Sequence, residues 1–155
     1  MEIANAVAYL HVRFSRPIVF RDIKPSTLLF QERNVAKFFN FSVSISIPEG
    51  KTHVNDTDKL IGTLGFIAPE CMTTGNCDEK SDVTASAHCF LSFWLENRMS
   101  ENGEQYFLQE LVKKSIESKS FKEIVHPAIV GEEGLWPEKE KQLRSHTELA
   151  IKCLS

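Results

Sequence analysis

The sequence has few cysteines and no long apolar run, and each scarcity excludes a class of protein. The opening residues lack the apolar stretch of a signal peptide, and no segment approaches the roughly 18 uninterrupted apolar residues of a membrane-spanning helix. The cysteines show no paired short spacing of the zinc or redox type. We therefore expect a soluble protein of a reducing, cytoplasmic compartment. The four cysteines are Cys71, Cys77, Cys89 and Cys153.

Surplus positive charge is also absent. Lysine and arginine number 18 against 21 acidic residues, which gives a net charge of -3. Without a basic excess, neither nucleic acid nor an anionic membrane is indicated as a partner. The 155 residues are 42% hydrophobic and 25% charged, the composition of an ordinary globular protein with one core. We expect a single domain over residues 1–155.

The first third of the chain combines one helix with short β-rich runs. Apolar residues at helical spacing predict a helix from Ile3 to Val12. Short strands are predicted at Ile18–Phe20, Leu28–Phe30 and Val35–Phe39, because turn residues separate them. These strands predict small β-hairpins.

The remainder of the chain is predicted to be a long loop followed by helices. Ser42–Gly65 is rich in Ser, Thr, Gly and Asp without a sustained period, which is typical of a surface loop. Apolar stripes predict helices at Ser81–Asn97, Phe107–Ile116 and Glu138–Leu154. The fold class predicted is α+β, mainly α.

One short motif carries candidate chemistry. The run from Phe20 to Pro25, Phe-Arg-Asp-Ile-Lys-Pro, resembles the catalytic loop of protein kinases. In that family an Asp orients the substrate hydroxyl and a Lys two residues later contacts the transferred phosphate. The resemblance implies that Asp22 and Lys24 are the catalytic pair.

Three further landmarks follow in the order and at the spacing of the family. Asn40-Phe41-Ser42 stands where the metal-binding Asp-Phe-Gly motif belongs, and Gly62–Glu70 resembles the end of the activation segment with its Ala-Pro-Glu signature. Ser81-Asp82-Val83 resembles the start of the central helix, whose Asp bonds the catalytic-loop backbone. The amino-acid sequence of these motifs resembles that of plant receptor-like kinases, especially the ZRK pseudokinases of plant immunity.

The resemblance implies a partial kinase domain running from the catalytic loop to the start of the last helix. We expect the large C-terminal lobe, with the N-terminal lobe and its glycine-rich loop and lysine absent. An arginine that pairs with the Ala-Pro-Glu glutamate in the family is missing, so Glu70 is expected to lack its buried partner. Such a loss costs about 3 to 5 kcal/mol unless the carboxylate is exposed. Marginal stability is expected.

The same resemblance implies a degenerate magnesium and ATP site. Asn40 replaces the metal-binding Asp with a neutral amide, and Thr27 stands where the family has its second metal-binding Asn. Magnesium prefers hard oxygen ligands that include carboxylates. We therefore expect no cofactor, with ATP and magnesium bound only if the chain is an active kinase. No spacing of the five histidines predicts a metal site, and His88 is expected to be a satisfied interior residue.

A regulatory switch is a separate possibility left open by the sequence. Arg21 carries a guanidinium that can grip a phosphate, and hydroxyls lie on the neighbouring activation segment. Plain solvation of these hydroxyls is the alternative. The segment's candidate residues are Arg21, Ser44, Ser46, Thr52, Thr57 and Thr63.

Three functions remain open at this point. The first is a catalytically inactive adaptor or decoy, for which the ZRK resemblance implies an intracellular NLR immune receptor or another kinase as partner, in the cytoplasm or at the plasma membrane through such partners. The second is an active serine/threonine kinase represented by a fragment. The third is a decayed gene product that does not fold stably.

Overall fold

The computed structural model describes residues 2–32, 35–55, 61–95, 112–118, 121–131 and 134–154. These residues form two compact units, residues 1–89 and residues 90–155. The expectation of a single kinase-like domain over residues 1–155 stays a prediction.

The first unit begins with a helix and contains three small antiparallel strand pairs. Its helices are α1 (Glu2–Val12), α2 (Pro69–Thr74) and the first part of α3 (Glu79–Trp94), and one-turn 3-10 helices cover Pro25–Thr27 and Phe41–Val43. Strand β1 (Ile18–Val19) pairs with β4 (Ile45–Ser46), β2 (Leu28–Phe30) with β3 (Ala36–Phe38), and β5 (Val54–Asn55) with β6 (Asn76–Cys77).

Two apolar clusters form the core of this unit. The first packs α1, through Val7 and Leu10, against Phe20 and Ile23 of the candidate catalytic loop and against Cys89 of α3. The ring of Phe20 is fully buried, as expected for an apolar residue in this place. The second cluster surrounds β1 and α2, with the following buried members: Val19, Ile47, Val54, Ile67, Ala68, Cys71 and Cys77.

The second unit is helical. The described part of α4 covers residues 112–117, and α5 (Phe121–Ile124), α6 (Pro127–Val130) and α7 (Pro137–Cys153) follow. Proline is the first residue of α6 and of α7, where its missing N–H costs no hydrogen bond. The Arg144 guanidinium of α7 lies 5.5 Å from the ring centre of Phe121.

The structure confirms the mainly helical α+β class and corrects several details. The predicted α1, α3 and α7 are present within a few residues of their expected bounds, and β2–β3 is a hairpin. The segment 42–65 is not only a loop, because β4 and β5 lie within it. Of the predicted helix Phe107–Ile116, residues 107–111 lie outside the described residues. The aromatic side chains of Phe39, Phe41 and Phe93 are exposed.

The spacing of the cysteines did not predict a disulfide, but the structure contains one. Cys71 of α2 and Cys77 of β6 form a disulfide, while Cys89 and Cys153 are free. The six-residue separation carries no sequence signature, since it is the turn at Gly75 that brings α2 back to β6. Among the described residues, no helix combines the length and apolar character needed to cross a membrane.

Candidate functional site

A single buried carboxylate holds the loop that contains the kinase-like motif. Asp82, at the start of α3 and 1% exposed, accepts hydrogen bonds from the backbone N–H groups of Phe20 (2.7 Å) and Arg21 (3.0 Å). Its Oδ2 also lies 3.0 Å from Nε2 of His11 at the end of α1. These three bonds satisfy a carboxylate that would otherwise be costly to bury. They fix the loop backbone immediately before Asp22.

Asp22, Lys24 and Thr63 form a closed triangle of polar contacts. Lys24 Nζ lies 2.9 Å from Asp22 Oδ2 and donates to Thr63 Oγ1 over 2.6 Å. Thr63 Oγ1 in turn donates to Asp22 Oδ1 over 2.6 Å. The side chains of Asp22 and Lys24 are 16% and 26% exposed, so the triangle faces solvent at one side. Each carboxylate oxygen retains a second lone pair that could accept a hydrogen bond.

The buried hydroxyl of Thr27 is hydrogen-bonded to the loop backbone both as a donor and as an acceptor. It donates to the carbonyl oxygens of Asp22 (2.9 Å) and Lys24 (3.0 Å) and accepts from the N–H of Lys24 (3.1 Å). Thr27 is 3% exposed. The side chain therefore closes the 3-10 turn over Pro25–Thr27 and does not project into the open space beside Asp22.

Asn40 lies in an exposed turn. Its backbone is left-handed, with φ 64° and ψ 69°, a conformation that asparagine tolerates better than most residues. Its Oδ1 accepts a hydrogen bond of 2.7 Å from the Ser42 hydroxyl, and a 3-10 helix over Phe41–Val43 follows. The amide is thus engaged with its own turn.

Both the backbone and the side chain of Arg21 have structural roles. Its φ of 69° is unusual for a residue other than glycine, and its Nε donates to the carbonyl of Val43 over 2.6 Å. This bond ties the loop to the segment that follows Asn40. One nitrogen of the guanidinium that was predicted to bind a phosphate is therefore already hydrogen-bonded within the protein.

The candidate hydroxyls of the activation segment have different surroundings. Ser44 is half-buried and donates to the carbonyl of Phe20 over 3.3 Å, and Ser46 is half-buried in β4. Thr52 is exposed, with its Oγ1 3.2 Å from Nδ1 of His53. Thr57 lies outside the described residues. Of the described hydroxyls at 44, 46 and 52, only that of Thr52 is open to solvent.

Glu70 does not carry the burial cost expected of it. The residue is exposed at the start of α2, and its Oε1 accepts a hydrogen bond of 3.4 Å from Ser81. An exposed carboxylate keeps its hydration, so the loss of a cationic partner is cheap. The expected burial of Glu70, on which the prediction of marginal stability was based, is therefore wrong.

Two contributors to the site were missed from the sequence. His11 contacts Asp82, and no pattern in the sequence around Tyr9-Leu10-His11 predicted this contact. Gly62 has φ +129°, and a Cβ at this position would lie 2.8 Å from the carbonyl oxygen of Arg21 and 2.5 Å from Ile67. Only glycine fits so close to the loop backbone. The signal available was the glycine at the start of the Gly-Thr-Leu-Gly run.

His88 of α3 differs from its expected state. It is 5% exposed as predicted, but neither ring nitrogen has a hydrogen-bond partner among the residues that the structure describes. Burial without a partner penalises the imidazolium and lowers the pKa of His88 to about 4. Within the described ranges, no three His, Cys, Asp or Glu side chains are grouped as metal ligands.

The arrangement provides a rigid loop, a half-open Asp–Lys–Thr triangle and an adjoining segment with exposed apolar residues. Leu64 and Met72 are 66% and 46% exposed on either side of the Ala-Pro-Glu run. A carboxylate beside a lysine can bind and orient a hydroxyl group, and exposed apolar residues beside it can contact a protein.

Comparison with known proteins identifies the family. A protein kinase domain model matches residues 1–155. The chain is similar to three Arabidopsis thaliana proteins: the inactive serine/threonine-protein kinase ZRK12, at 41% identity over 56% of this chain and 22% of that protein; the serine/threonine-protein kinase ZRK1, at 30% over 98% and 43%; and the non-functional pseudokinase ZED1, at 30% over 99% and 47%.

The chain thus spans less than half the length of these relatives. The relatives carry names of both active and inactive enzymes, so the match decides the family and leaves activity open. The chain belongs to the protein kinase family, among plant kinase-like proteins.

Proposed function

We propose that this chain is the large lobe of a pseudokinase that acts as a signalling adaptor or decoy in plant immune receptor complexes. Its partner would be an intracellular NLR receptor or another kinase, met in the cytoplasm or at the plasma membrane. The segment from Asn40 to Glu70 would form the surface that the partner recognises.

The observation that carries this proposal is the position of the Thr27 hydroxyl. Its hydrogen and one of its two lone pairs are bonded to the backbone of Asp22 and Lys24, and Thr27 is 3% exposed. A buried hydroxyl with these bonds stabilises the loop and is not open to a ligand. We therefore interpret this loop as a structural element of the fold.

The residues at the two expected metal positions do not fit magnesium. The ion requires near-octahedral oxygen ligands and is usually bound through carboxylates. Thr27 offers a hydroxyl that the backbone already uses, and Asn40 offers an amide oxygen that accepts from Ser42. The donor set supports a protein that does not hold the metal-nucleotide complex.

The names of the relatives support an inactive protein without deciding it. ZRK12 is named inactive, and ZRK2 and ZED1 are named non-functional pseudokinases. Partner recognition by an inactive kinase would use the fold alone, and this chain retains a buried core around the loop.

The first experiment is a thermal-shift titration of the purified protein with ATP, with and without magnesium. We expect a cooperative melt that magnesium-ATP does not move. A rise that requires magnesium would overturn the inactive assignment, and the absence of any cooperative melt would favour a decayed gene product.

The adaptor role is tested by binding to candidate NLR receptors. Leu64→Asp changes an exposed residue of the proposed surface, and Leu149→Asp on α7, with 59% exposure against 66%, is the matched control. We expect Leu64→Asp to abolish co-purification and the control to retain it. Equal binding by both variants would contradict recognition through this segment.

The second candidate, an active serine/threonine kinase, rests on the Asp22–Lys24–Thr63 triangle. ZRK1 and PBL35 are named as serine/threonine-protein kinases, and this chain covers 43% and 31% of them. Transfer of labelled phosphate from magnesium-ATP by the full-length protein, abolished by Asp22→Asn, would establish this function and exclude the first.

A further inference from the structure

The end of α1 and the residues that follow it carry an exposed surface of mixed apolar and basic character, outside the segment from Asn40 to Glu70. Tyr9, Val12 and Phe14 are 57%, 80% and 45% exposed. Arg13 and Arg16 are exposed between and beside them. We call these five residues the α1 patch.

The patch is held in place from both sides. On the helix, Val7 and Leu10 are buried in the core, and the N–H of Arg13 bonds the carbonyl of Tyr9 over 3.1 Å. After the patch, the chain enters β1, where Val19 is fully buried. The backbone that presents the patch is therefore ordered before any partner binds, which reduces the entropy lost on binding.

Two aromatic rings of the patch are already packed against each other. The rings of Tyr9 and Phe14 lie 5.8 Å apart, edge to face, at an interplanar angle of 87°. Edge-to-face packing restrains both rings while leaving much of their surface open to solvent. Rigid aromatic rings of this kind are common anchors at protein interfaces, as are arginines.

The charge of the α1 patch indicates the kind of partner that it binds. No acidic residue lies between Ile3 and Arg21, although the whole chain has a net charge of -3. Within the described part of the chain, neither Arg13 nor Arg16 has an ion-pair partner on its guanidinium. Each is therefore available to bind a carboxylate through two parallel hydrogen bonds.

Two arginines are too few for a membrane surface. Electrostatic attachment to anionic lipid uses clusters of about four to eight basic residues, each contributing about 1 kcal/mol. Here the negative charge of the rest of the chain would further oppose attachment. A peptide carboxylate, in contrast, is matched one to one by an arginine.

We infer that the α1 patch is a docking site for an acidic peptide segment of a partner protein, with an apolar side chain that packs on Tyr9 and Phe14. The inference is independent of the proposed function. It requires neither phosphate transfer nor the segment from Asn40 to Glu70.

The test uses a random peptide library of about 16 residues displayed on phage and selected against the immobilised chain. We expect enrichment of peptides that combine aspartate or glutamate with leucine, phenylalanine or tryptophan. Binding of the synthesised peptides is then measured by fluorescence polarisation at low and high salt. Affinity should fall with added salt, because the arginines are solvent-exposed.

Variants identify the residues that bind. Arg13→Ala, Arg16→Ala and Phe14→Ser should each weaken binding about tenfold. Lys141→Ala and Leu149→Ser, exposed residues of α7, are the matched controls and should leave binding unchanged. All five substitutions are at exposed positions and should leave the thermal melt unchanged, which separates lost binding from lost folding.

Three results would overturn the inference. The first is a selection without acidic enrichment, and the second is unchanged affinity for the Arg13→Ala/Arg16→Ala double variant. The third is tighter attachment to vesicles containing phosphatidylserine than to the peptides, with the same dependence on Arg13, Arg16 and Phe14. Failure of the inference by any of these routes leaves the thermal-shift and Leu64→Asp experiments unaffected.

Discussion

Oγ1 of Thr27 donates to the carbonyl of Asp22 over 2.9 Å, and this contact connects the 3-10 turn over Pro25–Thr27 to the kinase-like loop. Thr27→Val preserves the shape of the side chain and removes the hydroxyl. The loop groups of Asp22 and Lys24 then lose a partner inside a buried site, at a cost of about 2 kcal/mol. Urea denaturation should show this loss in the free energy of unfolding.

Thr27→Ser is the control for that prediction. Serine retains the hydroxyl, so most of the stability lost in Thr27→Val should be retained. Equal stability of the valine variant and the parent protein would mean that the hydroxyl does not hold the loop.

Removal of the Asp82 carboxylate should destabilise the first unit strongly. Asp82→Ala leaves the N–H groups of Phe20 and Arg21 without an acceptor, and we expect a loss of about 3 kcal/mol in the free energy of unfolding. Glu79→Ala, a partly exposed carboxylate of the same helix, should change it by less than about 0.5 kcal/mol. Similar urea midpoints for the two variants would contradict the role of Asp82.

The buried imidazole of His88 should make stability depend on pH. Its folded pKa is about 4 against an ordinary value of 6.5, so the unfolded chain binds the proton more readily between these values. Stability is therefore lost as the pH falls from 6.5 towards 4, by about 3 kcal/mol in total. His88→Leu should remove this part of the pH dependence.

The measurement is chemical denaturation of both proteins across that pH range. Carboxylates also titrate there, so the informative quantity is the difference between the two stability curves. His146→Gln on α7, where the histidine is exposed, is the control and should follow the parent protein. Parallel curves for the parent and His88→Leu would show that His88 carries no such penalty.

Reduction of the Cys71–Cys77 disulfide should lower the melting temperature. The bond closes a loop of about seven residues, for which the loss of chain entropy in the unfolded state corresponds to about 2 kcal/mol. Thermal melts with and without dithiothreitol measure the effect, and the Cys71→Ser/Cys77→Ser double variant should melt near the reduced protein. Cys153→Ser, at a free cysteine, should behave as the parent does.

The sequence predicted most accurately the elements that are long enough to show a repeating apolar pattern or a clear starting residue. Helices α1 and α7 were located almost to the residue, because an apolar period runs through one and a proline opens the other. Strands β1 and β4 have two residues each and pair across 26 residues of chain, so neither carries a period from which pairing could be read. Pairing of this kind depends on the whole fold.

The residues of the site also divide into those that a motif predicted and those that it did not. The order of the motifs predicted that Asp22, Lys24 and Asp82 belong to one loop system, and Asp82 does contact that loop. The pairing of Cys71 with Cys77 and the exposure of Glu70 were not predicted. Each depends on how distant segments pack, and a local pattern contains no record of that packing.

The contact between Asp82 and Phe20 sets an order of events during synthesis. The two residues are 62 positions apart, and a ribosome adds about 5 to 20 residues per second, so about 3 to 12 seconds separate their emergence. During that interval the Phe20 amide has no native acceptor, and the nascent chain carries an unfinished loop. The backbone of Phe20 and Arg21 can therefore form its native hydrogen bonds only after the start of α3 has been synthesised.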